Sequence, residues 1–204
     1  MKFNHTVFAL FTIFIFCTNF LTLCKTAVLV IAHRDFQPRE YGVTKQHLEK
    51  AGITVLTASN HAGDAFSTPI DMQGRKLKAH VDKTLNELTP SMYDGIFFIG
   101  GGGSPDLDNQ TSYNVIKQAV EQNKIVGAIC YAPRILARAG ILNGKEATGW
   151  NNDRNLPQIF KQHGVTYKRS RQYSYAVTDG NIITATDPMA AEAFAQEIIS
   201  AFKN

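Results

Sequence analysis

Val126-Gly-Ala-Ile-Cys130-Tyr-Ala-Pro-Arg134 runs from a strand through a sharp turn into a helix. The apolar run 125–129 has strand length and no polar alternation, the mark of a strand buried on both faces of a parallel sheet. Pro133 opens a helix, because proline in the first turn lacks only an N–H that the helix does not use. A turn this sharp crowds the positions two before and two after its apex. Both are small here, Ala128 and Ala132. That is the pattern of a nucleophile elbow with Cys130 at its apex. The helix start aims N–H groups and partial positive charge at the sulfur, which favours thiolate. The alternative is a buried structural cysteine.

Outward from the elbow the same alternation repeats. Residues 26–32 form a continuous apolar strand, and 41–51 carry helical spacing that stops at Gly52, a good residue just past a helix end. Strands are expected at 53–58 and 95–99, and helices at 111–122, 133–139 and 156–163. Residues 60–76 are polar and glycine-containing and read as a loop; 77–88 read as extended. Asp179-Gly180-Asn181 between 175–178 and 182–185 signals a hairpin. A terminal amphipathic helix covers 190–202. The β-α-β order argues for an α/β fold: a mainly parallel sheet with helices on both faces and a small antiparallel hairpin.

The chain has 204 residues, 44% hydrophobic and 19% charged, which suits one globular domain and excludes a disordered chain. The net charge is +4, and only Lys168, Arg169 and Arg171 bunch. No nucleic-acid partner is expected, since that requires a clustered basic face. Residues 1–24 read as a secretory signal: Lys2 and His5, then an apolar run. A retained anchor is the rival, as is a lipid site at Leu21-Thr22-Leu23-Cys24, where Leu23 stands in place of a small residue. Cleavage is favoured because a strand begins at residue 26 and leaves no linker between bilayer and sheet. The expectation is an exported domain, 25–204, periplasmic or secreted, touching a membrane only if the leader is retained. Cys17 and Cys24 leave with the segment, so Cys130 is the one mature thiol. No Cys-x-x-Cys or His-x-x-x-His pair is present, so no metal is expected.

In such sheets, sites lie beyond the carboxyl ends of the strands. Three stretches arrive there. The elbow is one. Ile99-Gly-Gly-Gly-Gly-Ser-Pro-Asp106 is the second. It lacks the Lys-Ser/Thr of a phosphate loop, and Pro105 or Asp106 stands at the last glycine of the dinucleotide spacing, so no cofactor is expected. Gly101 or Gly102 and the Tyr131 N–H are candidate oxyanion donors. The third is Ala32-His-Arg-Asp-Phe-Gln-Pro-Arg-Glu40. Glu40 opens a helix, either as a solvated acid or as a carboxyl turned towards Cys130 to share its proton.

These stretches resemble the ThiJ/PfpI (DJ-one/PfpI) family of the class I glutamine amidotransferase-like superfamily. The resemblance spans 26–202. It rests on Phe36-x-x-x-Glu40, Gly101-Gly102 with Pro105-Asp106, Ala128-Ile-Cys130-x-Ala-Pro133, Ala147-Thr148, Asp179-Gly180-Asn181 and Asp187-Pro188. It implies a flavodoxin-like three-layer sandwich, a homodimer or higher homo-oligomer, a reactive Cys130 and its partner Glu40. It also implies a small-molecule substrate: carbonyl or acyl electrophiles under glyoxalase, deglycase or hydrolase chemistry. The alternative is a non-enzymatic redox sensor or chaperone in the stress response. The PfpI branch carries histidine directly after the cysteine. Tyr131 stands there instead, and tyrosine, with a pKa of about 10, is a poor base at neutral pH. A downstream His-x-Glu is also absent, since Gly164 and Val165 follow His163. His33, at a strand end, is the candidate replacement base, and Trp150 a candidate cleft residue. Two acids this close cannot both ionise cheaply. Cys130 is expected as thiolate, with Glu40 holding the shared proton.

Overall fold

The computed structural model describes residues 24–169 and 174–203. The leader expected at 1–24 therefore lies outside the described residues except for Cys24, as does Arg171.

Strand β1 (Thr26–Ile31) explains the sheet. Ala27 to Ile31 are fully buried, yet alternate residues enter different cores. Val28 and Val30 join one cluster; Ala27, Leu29 and Ile31 join the other. A strand covered on both faces has no polar side to show, hence its unbroken apolar run.

The chain continues through β2 (Arg34–Phe36), α1 (Pro38–Lys50), β3 (Thr54–Ser59), β4 (Gly63–Pro69), β5 (Lys76–Val81), β6 (Lys83–Thr84) and β7 (Gly95–Phe98). Then come α2 (Gln110–Glu121), β8 (Ile125–Ile129), α3 (Pro133–Arg138), β9 (Glu146–Ala147), α4 (Leu156–Gln162) and β10 (Thr166–Tyr167). The hairpin β11 (Ala176–Asp179) and β12 (Ile182–Ala185) precedes α5 (Ala191–Ala201). The main sheet has seven strands in the order β11-β12-β8-β7-β1-β3-β6. Its pairs are parallel except for the β11–β12 hairpin at the edge. Helices α1 and α5 pack on one face through Tyr41, Leu48, Phe194 and Ile198. Helices α2, α3 and α4 cover the other through Ile116, Ile135, Leu136 and Phe160. The result is the expected three-layer, flavodoxin-like sandwich.

Within the loop expected at 60–76, Gly63–Pro69 forms strand β4, paired antiparallel with β5 and parallel with β2 in a separate three-stranded sheet. Its inward residues are Ala65 and Ser67, both fully buried. One is tiny and the other polar, so the period-two signal is silent. The Ser67 hydroxyl accepts the Leu77 N–H at 2.8 Å and donates to the Thr68 carbonyl at 2.6 Å. The extended reading of 77–88 fits β5 and β6, followed by a 3₁₀ turn at Leu85–Glu87.

Candidate active site

Cys130 follows β8 with φ of 64°, in the left-handed region that non-glycine residues avoid. Such a conformation costs about 1–3 kcal/mol and persists only where its surroundings hold it. Two backbone bonds do so: the Cys130 N–H donates to the Ala185 carbonyl of β12 at 2.9 Å, and the Cys130 carbonyl accepts the Trp150 N–H at 2.8 Å. Ala128 and Ala132 are fully buried on either side, as the elbow requires. Cys130 itself is 8% exposed.

Glu40 reaches the same point from α1. Pro38 begins the helix, one turn earlier than the apolar spacing suggested, and Gln37 caps it. The Gln37 side-chain oxygen accepts the Glu40 N–H at 2.9 Å. A glutamate at this position usually folds back on the cap N–H. Here the Gln37 N–H is already donated to the Gly100 carbonyl at 2.9 Å, and the Glu40 carboxyl points inward. Its Oε2 accepts the Gly100 N–H at 2.8 Å; its buried Oε1 has no hydrogen-bond partner. The thiol is the carboxyl's neighbour, and each shifts the other's hold on its proton.

Gly100 is the position at which the two approach. A Cβ there would sit 2.7 Å from the Cys130 Cβ and 2.8 Å from Glu40 Oε2. The sequence reading passed over Gly100 for its neighbours, because a four-glycine run does not say which member is crowded. Gly101, with φ of 123°, admits the end of β2: a Cβ would stand 2.5 Å from the Asp35 carbonyl oxygen and from the Gln37 nitrogen. Gly102 is exposed beside Asp35. The Gly101 N–H donates no hydrogen bond among the described residues.

Burial pushes the Glu40 carboxyl up to about 8, against the thiol and Gly100 N–H bonds that favour its charge; Asp187 nearby adds to the rise. Burial also pushes the Cys130 thiol up, and the Glu40 carboxylate reinforces this, while the Tyr131 N–H directed at sulfur opposes it. Both shifts are upward: burial favours the proton on Glu40, and at Cys130 it works against the thiolate that the helix start favours. Helix α3 has only six residues, and its dipole does not offset nearly complete burial. Two negative charges so close are opposed, and the pair titrates as a unit.

The other candidates divide. Tyr131 and Trp150 flank the elbow, their ring centroids 6.4 Å apart and tilted by 41°. His33 meets His61 ring to ring, edge-on at 5.5 Å, and its backbone N–H donates to Asn60 Oδ1 at 2.9 Å. Among the described residues no hydrogen bond joins it to Cys130 or Glu40, and its buried Nδ1 has no hydrogen-bond partner. Two residues that the motifs include were given no role at the site. Asp187 sits close enough to raise both acids, while its carboxylate accepts the Met189 N–H at 2.8 Å. Arg134, one turn past the cysteine, is buried against the Asp153 carboxylate. Its guanidinium holds Asp153 down at about 2. An arginine in a first helical turn reads as solvated, and nothing local marks Asp153 as its partner. Among the described residues no group of three His, Cys, Asp or Glu side chains gathers to hold a metal.

A doubly covered parallel sheet with a strained cysteine elbow and a buried carboxyl partner defines a flavodoxin-like protein of the cysteine-elbow class. A profile of the DJ-1/PfpI family matches residues 25–201, and the chain belongs to that family. It is 33% identical over 178 residues to an uncharacterised protein of Methanocaldococcus jannaschii, covering 86% of this chain and 82% of that one. It is 32% identical over 182 residues to Bacillus subtilis YraA, whose name provisionally assigns it to the cysteine proteases; 88% of this chain and 98% of that one are covered. The ThiJ/PfpI domain protein of Brachyspira murdochii superposes with a TM-score of 0.77 at 23% identity, over 88% of this chain and 97% of that one.

Proposed function

We propose that Cys130 is a nucleophile towards small carbonyl or acyl electrophiles and that Glu40 moves its proton. One observation carries this reading: a fully buried carboxyl, in which burial favours the proton, beside a strained elbow thiol. A neutral carboxyl is acceptor and donor at once. One oxygen takes the thiol proton as the S–C bond forms; the other oxygen gives its proton to the carbonyl oxygen, which becomes a hydroxyl. No charge accumulates in a site where burial opposes charge. We assign the Gly101 N–H, which bonds to no described residue, the role of donor to that oxygen. With an ester or amide the adduct collapses to a thioester as the alcohol or amine leaves with a proton from Glu40; with a dicarbonyl the adduct's C–H proton moves through an enediol to the adjacent carbon, which also gives a thioester. Water then hydrolyses the thioester to the carboxylic acid and returns the thiol.

The name of an Escherichia coli relative, protein/nucleic acid deglycase 2, supports the aldehyde branch; it is 32% identical over 129 residues, 61% of this chain and 69% of its own. Tyr131, in place of a histidine, weighs against a peptidase. Turnover of a panel of dicarbonyls, esters and peptides, with intact mass for covalent adducts, tests the proposal. Cys130→Ser is expected to lose turnover by about 10³-fold or more while staying folded. Wild-type rates in that variant on every substrate turned over would sink it.

A second reading uses the same carboxyl: a neutral Glu40 is placed to donate to oxygen added at sulfur, so Cys130 acts as a peroxide sensor. Intact mass after dilute peroxide discriminates, by a gain of two oxygens confined to Cys130. We also propose export directed by residues 1–24 and self-association into a homodimer or larger assembly. Fractionation of chains with and without the leader, and light scattering of the mature domain, test these two.

A further inference from the structure

Arg134 is the largest fully buried side chain in the described protein, at 1% exposure. Its Nη1 and Nη2 donate to the two Asp153 oxygens, each at 2.8 Å. Nη2 also donates to the Trp150 carbonyl at 3.1 Å. The guanidinium carbon lies 4.3 Å from the centre of the Tyr131 ring and 5.5 Å from that of Trp150. Trp150 in turn donates its N–H to the Cys130 carbonyl at 2.8 Å, and Tyr131 is bonded to Cys130 directly and aims its N–H at the sulfur. The contacts close a ring: Cys130, Trp150, Arg134, Tyr131 and back to Cys130. Asp153 fixes the guanidinium from outside and accepts the Asn155 N–H at 3.1 Å, which ties in the start of α4.

We propose that the Arg134–Asp153 pair is a positioning clamp for Cys130, holding Tyr131 and Trp150 where they bond to the elbow. A buried ion pair contributes little net stability compared with apolar side chains of equal volume, so stability alone is a poor account of one here. Bidentate geometry supplies what an apolar pair cannot, a fixed direction. Arg134 does not approach the sulfur itself; it acts through its neighbours.

The inference rests on Cys130 being the reacting group, but its test needs no substrate. Iodoacetamide alkylation of Cys130 is followed by peptide mass from pH 5 to pH 11, in full-length protein carrying Cys17→Ser and Cys24→Ser. The midpoint is read rather than the limiting rate, because loosening alone exposes the sulfur and changes the limit. Asp153→Asn keeps shape and partial bonding on a partly exposed side chain and is expected to fold. Loss of the clamp frees the Tyr131 N–H from sulfur. The midpoint should rise by about one pH unit, the scale of one hydrogen bond to a charged group. Arg134→Ala should shift it likewise, and added methylguanidinium should return it towards wild type. An unchanged midpoint in folded Asp153→Asn overturns the clamp, as does a shift in Arg134→Ala that methylguanidinium leaves untouched. Wild-type turnover in Cys130→Ser would overturn the enzyme reading instead, and leaves the midpoint comparison intact.

Discussion

Glu40 shows what one buried acid does to the protein's pH response. Its folded pKa of about 8 lies above the usual carboxyl value of 4.5, so the folded state holds the proton more tightly than the unfolded chain. Stability from keeping that proton is therefore complete below pH 4.5 and is lost as pH rises towards 8 and beyond. The scale is on the order of a few kcal/mol. Glu40→Gln keeps an acceptor for the Gly100 N–H and cannot ionise. Its melting temperature at pH 8.5 should exceed that of wild type, with the difference shrinking towards pH 5; parallel curves would show that the carboxyl is not held neutral. At Cys130 the left-handed backbone makes a second prediction. Glycine ordinarily destabilises relative to alanine, but at φ of 64° the order reverses. Cys130→Gly should be about 1 kcal/mol more stable than Cys130→Ala in urea unfolding. Equal stabilities, or alanine ahead, would mean that the elbow stores no strain.

Elements differ in how plainly their residues announce them. Strands β1, β7 and β8 are buried on both faces and write that burial as apolar runs, so they were legible. So was the elbow, whose small flanking alanines follow from local crowding. Strand β4 was not, because its inward positions are Ala65 and Ser67 and its register is held by the Ser67 hydroxyl rather than by apolar contact. Arg134–Asp153 was invisible for a related reason: an ion pair across a loop leaves no periodic trace. The hidden hydroxyl can be tested. Ser67→Ala removes the acceptor of the half-buried Leu77 N–H, at a cost of about 1 kcal/mol. Amide exchange in β4 and β5 should quicken while that of β8 stays as in wild type. Unaltered exchange at Leu77 would show that water or a shifted backbone replaces the hydroxyl.

Across the whole molecule, protection should follow the layering. Strands β1, β7 and β8 have neighbours on both edges and helices on both faces; β4 and β5 alternate buried with exposed side chains. Exchange measured by mass spectrometry should therefore be slowest in the first three and faster in β4–β5 by orders of magnitude, as local opening precedes global unfolding. Equal protection would argue for a single cooperative unit. The bond from the Cys130 N–H to the Ala185 carbonyl has a consequence in time. As the polypeptide leaves the ribosome, the cysteine emerges long before the strand that must receive its N–H, and before Asp187. Until β12 docks beside β8, the thiol is that of any unfolded chain, neither twisted nor shut away. The last strand made arms the protein, so an unfinished or C-terminally clipped copy carries a cysteine without the geometry that sets it apart.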